Sequence, residues 1–184
     1  MHHRKLIGLT APSGTGKSSL AKRVLDEFPS MNLSVSVTTR PPRPYEQHGR
    51  EYFFVSVPEF ERLITEKALL EYEEVYPGRF YGTPLCTLTE AETPLLLDID
   101  VKGASTVRST YGGFFIFIAP PTVNELESRL RSRGTESPDS LKMRLQRAKL
   151  ELTYADRFDA VVINDSFDEA AKEIFSLIQG YLDK

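Results

Sequence analysis

The chain reads as α/β, a doubly wound parallel sheet of about five strands, and three observations predict it. Leu6 to Thr10, Leu95 to Leu97 and Phe114 to Ala119 are continuous apolar runs, the pattern of strands covered on both faces. Stretches of helical length separate the strand-like segments along much of the chain. The first run passes straight into a glycine-containing turn and a helix, the connection from which parallel sheets with right-handed crossovers are built.

The elements follow in order. A helix from about Lys17 to Phe28 is stopped by Pro29. Leu33 to Thr38 is expected as one strand, the proline-rich Arg40 to Gly49 as an irregular arm, and Tyr52 to Val57 as extended chain. Ser56 and Glu59 have capping-box spacing at the head of a helix to about Lys67, each able to satisfy the other's orphan N–H. Leu69 to Val75 and Arg79 to Tyr81 flank the turn Tyr76-Pro77-Gly78, which completes a small β-rich insert between about 33 and 83. Pro94 to Asp100 and Phe114 to Ala119 are central strands. Thr122 and Glu125 form a second capping-box spacing, opening a helix that Gly134 ends, and Ser137-Pro138 starts the next. Val161 to Ile163 is a last short strand and Phe167 to about Tyr181 a last helix. In such sheets ligands sit at the carboxyl ends of the strands.

Composition narrows the classes. With 184 residues, 40% hydrophobic and 27% charged, one compact domain is expected. The net charge of −3 lacks the basic excess of nucleic-acid and membrane-surface binders, so neither partner is expected. The single cysteine, Cys86, cannot form an internal disulfide, and a reducing, cytoplasmic setting follows. No stretch approaches the ~20 apolar residues of a spanning helix.

Residues 11–18, Ala-Pro-Ser-Gly-Thr-Gly-Lys-Ser, sit between a strand and a helix, the context a phosphate-binding P-loop requires. Gly14 and Gly16 allow the bend by which successive N–H groups converge on phosphate oxygens. Ser13, Gly14, Thr15, Gly16, Lys17, Ser18 and Ser19 are then the candidate ATP site, with Lys17 on the β- and γ-phosphates and the Ser18 hydroxyl on Mg²⁺. Ala11 stands where the pattern usually begins with glycine. Asp98, closing a central strand, either supports Mg²⁺ through water or forms a turn or cap; the neighbouring loop and Asp100 favour the metal.

Beyond this loop, Ser34-Val35-Ser36-Val37-Thr38-Thr39-Arg40-Pro41-Pro42-Arg43 and Gly49-Arg50-Glu51-Tyr52-Phe53-Phe54-Val55 resemble the GMP-binding region of the guanylate kinase family. Leu70-Glu71-Tyr72, Tyr81-Gly82-Thr83, Leu97-Asp98-Ile99-Asp100 with Gly103, Ile118-Ala119-Pro120-Pro121, Arg131-Ser132-Arg133-Gly134-Thr135-Glu136 and Ile163-Asn164-Asp165 follow in family order. The resemblance spans about Leu6 to Asp165. It implies a P-loop kinase core of about 1–32, 84–124 and 156–184, a GMP-binding insert of about 33–83 and a helical lid of about 125–155. By similarity Arg40, Arg43, Tyr52 and Tyr81 hold the GMP phosphate, where two guanidinium forks suit an anion. Glu71 matches the residue that reads guanine N1–H and the 2-amino group, Asp100 the one near that amino group, and Ser36 and Thr83 those that bond the base; Asp98 also borders GMP. Adenine, with an acceptor at N1, would leave Glu71 unpaired.

The resemblance further places Arg133 and Arg144 in the lid, reaching the phosphates, and makes Lys17, Arg40, Asp98, Arg133 and Arg144 the catalytic set. Arg129, Arg131 and Arg147 read as helix-surface charges paired with Glu127 or Glu151. Asn164 matches a residue that contacts adenine, with a helix cap as the competing reading. The implied reaction is Mg²⁺-dependent transfer from ATP to GMP, with dGMP as a further acceptor, by a monomer or homodimer. The alternatives are a kinase for another nucleoside monophosphate and a non-catalytic guanylate-kinase-like interaction module. Tyr45 before Glu46, Val37, and one extra residue in Tyr76 to Arg79 depart from the family pattern.

Overall fold

A computed structural model describes residues 5–88, 93–132 and 138–184, the side chains of 138–140 excepted. In chain order the elements are β1 (Leu6–Thr10), α1 (Lys17–Glu27), β2 (Asn32–Ser34), β3 (Val37–Thr38), β4 (Phe53–Phe54), α2 (Val57–Thr65), β5 (Leu69–Tyr76) and β6 (Arg79–Pro84). Then follow β7 (Leu95–Asp98), α3 (Val101–Tyr111), β8 (Phe114–Ala119), α4 (Val123–Ser132), α5 (Pro138–Leu152), β9 (Ala160–Ile163) and α6 (Phe167–Leu182), with 3₁₀ turns at Leu85–Leu88 and Ala155–Arg157.

The expected parallel sheet of five strands is present, in the order β2-β7-β1-β8-β9. Strand periodicity divides its side chains between two layers. Ile7, Leu9, Leu96, Ile116, Ile118 and Val162 pack with Leu20, Ala21 and Val24 of α1 and Ala170, Ala171, Ile174 and Ile178 of α6. Their strand neighbours Leu6, Leu95, Leu97, Phe115 and Phe117 pack on the other face with Val101, Ala104 and Val107 of α3. A smaller sheet, β4-β3-β6-β5, stands beside the first. Leu126 and Leu130 of α4 cluster with Leu141 and Ala148 of α5.

Three elements differ from the sequence reading. Leu33 to Thr38 is two strands: Ser34 pairs with Leu97 in the large sheet, whereas Val37 pairs with Gly82 and Phe53 in the small one. The chain leaves one sheet edge at Val35-Ser36 and joins the other, and an even β-propensity across the segment conceals the break. Helix α3 was not expected. Its apolar positions are few, but Asp100 caps it, accepting from Gly103 N at 2.7 Å. Helix α2 ends at Thr65 because Lys67 is left-handed (φ +53°).

The Ser56–Glu59 capping box forms in both directions. Thr122 accepts from Glu125 N at 3.0 Å, but the Glu125 carboxylate pairs with Arg129 instead of returning to the cap. Gly134 and Ser137, expected to end one helix and start the next, lie outside the described residues.

Phe117 is fully buried and stacks on Phe158 at a ring separation of 5.7 Å. Phe117→Ala is expected to lower the unfolding free energy by about 3–5 kcal/mol. Guanidinium denaturation would measure this, and a loss below about 1 kcal/mol would contradict the assigned core.

Candidate functional site

The carboxyl ends of β1 and β7 lie side by side because the parallel register sets Leu9 opposite Asp98. After Thr10 the chain turns through residues 11–16 into α1. Gly14 (φ +96°) and Gly16 (φ +88°) hold left-handed backbone that a side chain would strain. At Gly16 a Cβ would also lie 2.9 Å from the Asn164 amide. No side chain caps α1, so its first N–H groups face the loop without a built-in acceptor.

Lys17 and Ser18 reach across to β7. Lys17 Nζ lies 2.6 Å from Asp98 Oδ1 and donates to Ile99 O at 2.7 Å. Ser18 Oγ donates to Asp98 Oδ2 at 2.9 Å. Ser13, Gly14, Gly16, Lys17, Ser18 and Ser19 line one side of a cleft of about 270 Å³. Arg43, Tyr52, Tyr81, Asp98, Asp100, Arg144, Arg147 and Glu151 line the remainder.

A second cavity of about 140 Å³ adjoins the cleft and shares Lys17, Tyr52, Tyr81, Asp98 and Asp100 with it. Its inner wall carries Ser36 and Glu71. Glu71 on β5 faces Thr83 on β6, whose hydroxyl donates to Oε1 at 2.6 Å. Only 8% of Glu71 is exposed. Burial pushes its pKa up to about 7, Thr83 pulls against that shift, and the nearby Asp100 charge adds to it. Gly103 makes room, since a Cβ there would overlap Glu71 Oε2. Burial also pushes the Tyr52 hydroxyl pKa up, which keeps it a neutral donor.

Arg40 does not line either cavity. Its fork is fixed on Glu46, with Nη1 to Oε2 and Nη2 to Oε1 both at 2.9 Å, and it lies over the rings of Tyr52 and Phe54. Glu46 also accepts from Arg43 N at 2.7 Å. Burial would raise the Glu46 pKa, but the Arg40 and Arg43 bonds hold it below the usual carboxylate value. Arg43 lines the cleft, with Nη1 3.3 Å from the Tyr45 hydroxyl.

The sequence reading missed Glu46 as a site residue, although a carboxylate three residues beyond Arg43 in a stiff arm was its signal. Arg144 lines the cleft and stands over Tyr76 at 5.9 Å. Arg147 pairs with Glu151 at 2.7 Å as expected, yet the pair borders the cleft and is no outward surface charge. The signal was helical spacing, because Arg144, Arg147 and Glu151 fall on one face. Arg131 pairs with Glu127, but Arg129 pairs with Glu125 and also donates to Asn164 O at 3.0 Å.

Asn164 is not a helix cap; Ser166 holds that place for α6. Its buried amide donates to Thr15 O at 2.6 Å and so braces the loop from behind. Thr15 and Thr83 are likewise buried supports. Asp100 lines both cavities while capping α3. Arg133 lies outside the described residues.

The cleft accords with Mg²⁺ bound to a phosphate ligand. Ser18 at the start of α1 and Asp98 at the end of β7 offer hard oxygen donors side by side, and a hydrated Mg²⁺ needs few of them. Among the described residues no cluster of three metal-binding side chains offers an all-protein cage. None of the described helices is long and apolar enough to cross a membrane.

Comparison with known proteins agrees with this geometry. The family described as guanylate kinase matches residues 3–181. A guanylate kinase of Salinibacter ruber is 47% identical over 99% of both chains. One of Chlorobium luteolum is 46% identical over 97% of this chain and 92% of its own. The crystal structure of guanylate kinase from Anaplasma phagocytophilum superposes with a TM-score of 0.80 at 30% identity, covering 100% of this chain and 89% of that one. A shikimate kinase of Bacteroides thetaiotaomicron, at 15% identity and a TM-score of 0.54, shares the fold.

Burial of Glu71 carries a stability signature. Its carboxyl pKa is higher folded, about 7, than the ordinary 4.5, so the folded protein holds the extra proton between those values. The stability this gives is complete below about pH 4.5 and is lost as pH rises through about 7. Glu71→Gln removes the dependence, and its stability relative to wild type is expected to rise by about 1–3 kcal/mol between pH 5 and pH 8. Urea denaturation at the two pH values would measure it, and a pH-independent difference would refute the buried, protonated carboxyl.

Proposed function

The chain belongs to the guanylate kinase family, and from that premise we propose that it transfers the γ-phosphate of ATP to GMP across the junction of its two cavities. One observation carries the reading: a phosphate loop and a buried carboxylate with a hydroxyl partner face two cavities that meet at Lys17 and Asp98.

The loop N–H groups and Lys17 hold the ATP phosphates, and Ser19 adds a hydroxyl at the cleft wall. Ser18 and Asp98 would hold Mg²⁺, which would neutralise phosphate charge. Asn164 supports this half-site through Thr15 O. In the smaller cavity Glu71 accepts from guanine N1–H and the 2-amino group, Asp100 and Ser36 add base contacts from the wall, and Thr83, behind the wall, orients Glu71 and comes to the base as the ligand settles. Arg43, Tyr52 and Tyr81 meet the GMP phosphate at the shared boundary, and Arg40 joins them with Glu46 fixing its plane. dGMP presents the same base and phosphate and is an acceptor as well.

Residues of about 33–83 are the acceptor-binding insert and about 125–155 the lid. Arg144, with Arg133, brings positive charge to the equatorial oxygens as transfer proceeds. The acceptor phosphate is already ionised at neutral pH, so neither a general base nor a covalent enzyme nucleophile is required. Lys17, Arg40, Asp98 and the lid arginines act by positioning and by charge. The substrates belong to the cytoplasmic nucleotide pool, where we place the enzyme.

Specificity follows from Glu71. Adenine would direct a lone pair at the carboxylate and leave it unpaired in a buried site, a loss that exceeds the discrimination available from shape alone. With GMP, AMP, CMP and TMP offered as acceptors in a coupled ADP-release assay, GMP is expected to exceed the others by at least about a hundredfold in kcat/KM. Equal or better turnover of AMP would overturn the assignment.

The Glu71 pKa of about 7 adds a pH dependence. GMP binding needs the ionised carboxylate, so KM for GMP is expected to rise about tenfold as pH falls from 8 to 6. A KM that stays flat over this interval would show that Glu71 does not read the base.

A further inference from the structure

Arg147 has three bonding directions. Nε donates to Glu151 Oε1 one turn along α5 at 2.7 Å, Nη1 to Val75 O on β5 at 2.8 Å, and Nη2 to Asp100 Oδ2 at 3.3 Å. One planar group therefore joins α5, the smaller sheet and the residue that links β7 to α3. Its side chain is only 22% exposed.

Asp100 has two oxygens with different neighbours. Oδ1 accepts from Gly103 N at 2.7 Å, which fixes one end of the carboxylate to the start of α3. Oδ2 faces Arg147. The carboxylates of Glu71 and Glu151 both act on the same region as like charges, since Asp100 raises the pKa of each. With no cation at Arg147, Oδ2 would lose its bonded partner and keep only the longer-range charge of Lys102, which is itself bonded to Glu73, so the side chain would gain by rotating away from the Glu71 cavity. A guanidinium suits the task because its donors lie in one rigid plane and meet all three acceptors together, whereas an ammonium offers a point charge on a flexible stem.

We propose that Arg147 is a positioning residue for the acceptor nucleotide, holding Asp100 beside Glu71 so that both carboxylates present to the guanine edge. The inference rests on the acceptor reading above and adds to it a residue that binds neither nucleotide. Arg147 acts through Asp100, so the two residues behave as one unit in GMP binding.

The test is steady-state kinetics with GMP and ATP varied independently, on wild type, Arg147→Gln, Arg147→Lys, Asp100→Asn and the double variant Arg147→Gln/Asp100→Asn, with thermal melts of each. Arg147→Gln is expected to raise KM for GMP about tenfold while KM for ATP stays within about twofold. Arg147→Lys, which keeps the charge and loses the fork, recovers only part of that rise. In the Asp100→Asn background Arg147→Gln adds less than about twofold, because its route is already removed. Independent, multiplying effects in the double variant would overturn the proposal, as would equal rises in both KM values or an unchanged KM for GMP. If Arg147→Gln fails to fold, Arg147→Lys in the two backgrounds makes the same comparison. Wild type that fails to phosphorylate GMP would count against the acceptor assignment itself, whereas normal wild-type turnover with an indifferent Arg147→Gln counts against Arg147 alone.

Discussion

The parallel pairing of β1 with β7 is the constraint on which the other features of the site depend. It sets Leu9 opposite Asp98, so the loop leaving β1 and the carboxylate ending β7 emerge at the same height. Lys17 and Ser18, the first two residues of the helix that the loop opens, then reach the two oxygens of Asp98. A slip of one residue would send Asp98 to the other face of the sheet and separate these groups. Such a slip is opposed by the whole core, since the same alternation that buries Leu96 on one face buries Leu95 and Leu97 on the other.

Glu71 is the second commitment. A carboxylate removed from water is unfavourable, and within the protein the offset comes from Thr83, through its hydroxyl and its backbone, while the pKa is raised to about 7. A ligand that supplies two donors restores what burial takes away, whereas one that supplies an acceptor leaves the deficit. Gly103 belongs to this arrangement, because α3 approaches so closely that any side chain would occupy the position of the carboxylate oxygen. The helix start that Asp100 caps is therefore also the floor of the base pocket.

The central sheet was legible because continuous apolar runs joined by a phosphate-loop context leave few topologies open. The loop residues were legible from their strand-to-helix context and Asp98 from its place at a strand end, whereas Glu71 and the two tyrosines were expected only through the family resemblance of the segments that carry them; all of these but Thr15 line the cavities. Contacts that depend on tertiary approach were not legible. The break within Leu33 to Thr38 has no glycine or proline to mark it, and only the pairing of Ser34 and Val37 with different sheets reveals it. Helix α3 has an N-cap that could have been read, but Gly103 and the small residues Ala104 and Ser105 blur its apolar face. Arg147 has the local pattern of a solvated ion pair, and nothing in the sequence says that Val75 and Asp100 will meet it. Asn164 lies 149 residues from the Thr15 carbonyl it supports.

Two of the cations that the proposed function sets against phosphate are held in paired positions by the protein itself. Lys17, on the cleft wall, rests on Asp98, and Arg40, beside the cleft, rests on Glu46. Unpaired, such half-buried positive charges would repel one another and destabilise the fold. Paired, each side chain has its orientation fixed while the net field is moderate, so a phosphate is met by an aligned donor and little ordering entropy remains to be lost on binding. The cost is attraction at a distance, since a neutralised guanidinium draws a phosphate less strongly than a free one. A kinase of two nucleotides gains from that exchange: an array of unpaired cations would bind any polyphosphate tightly, whereas aligned and partly neutralised ones favour the geometry that both substrates complete together.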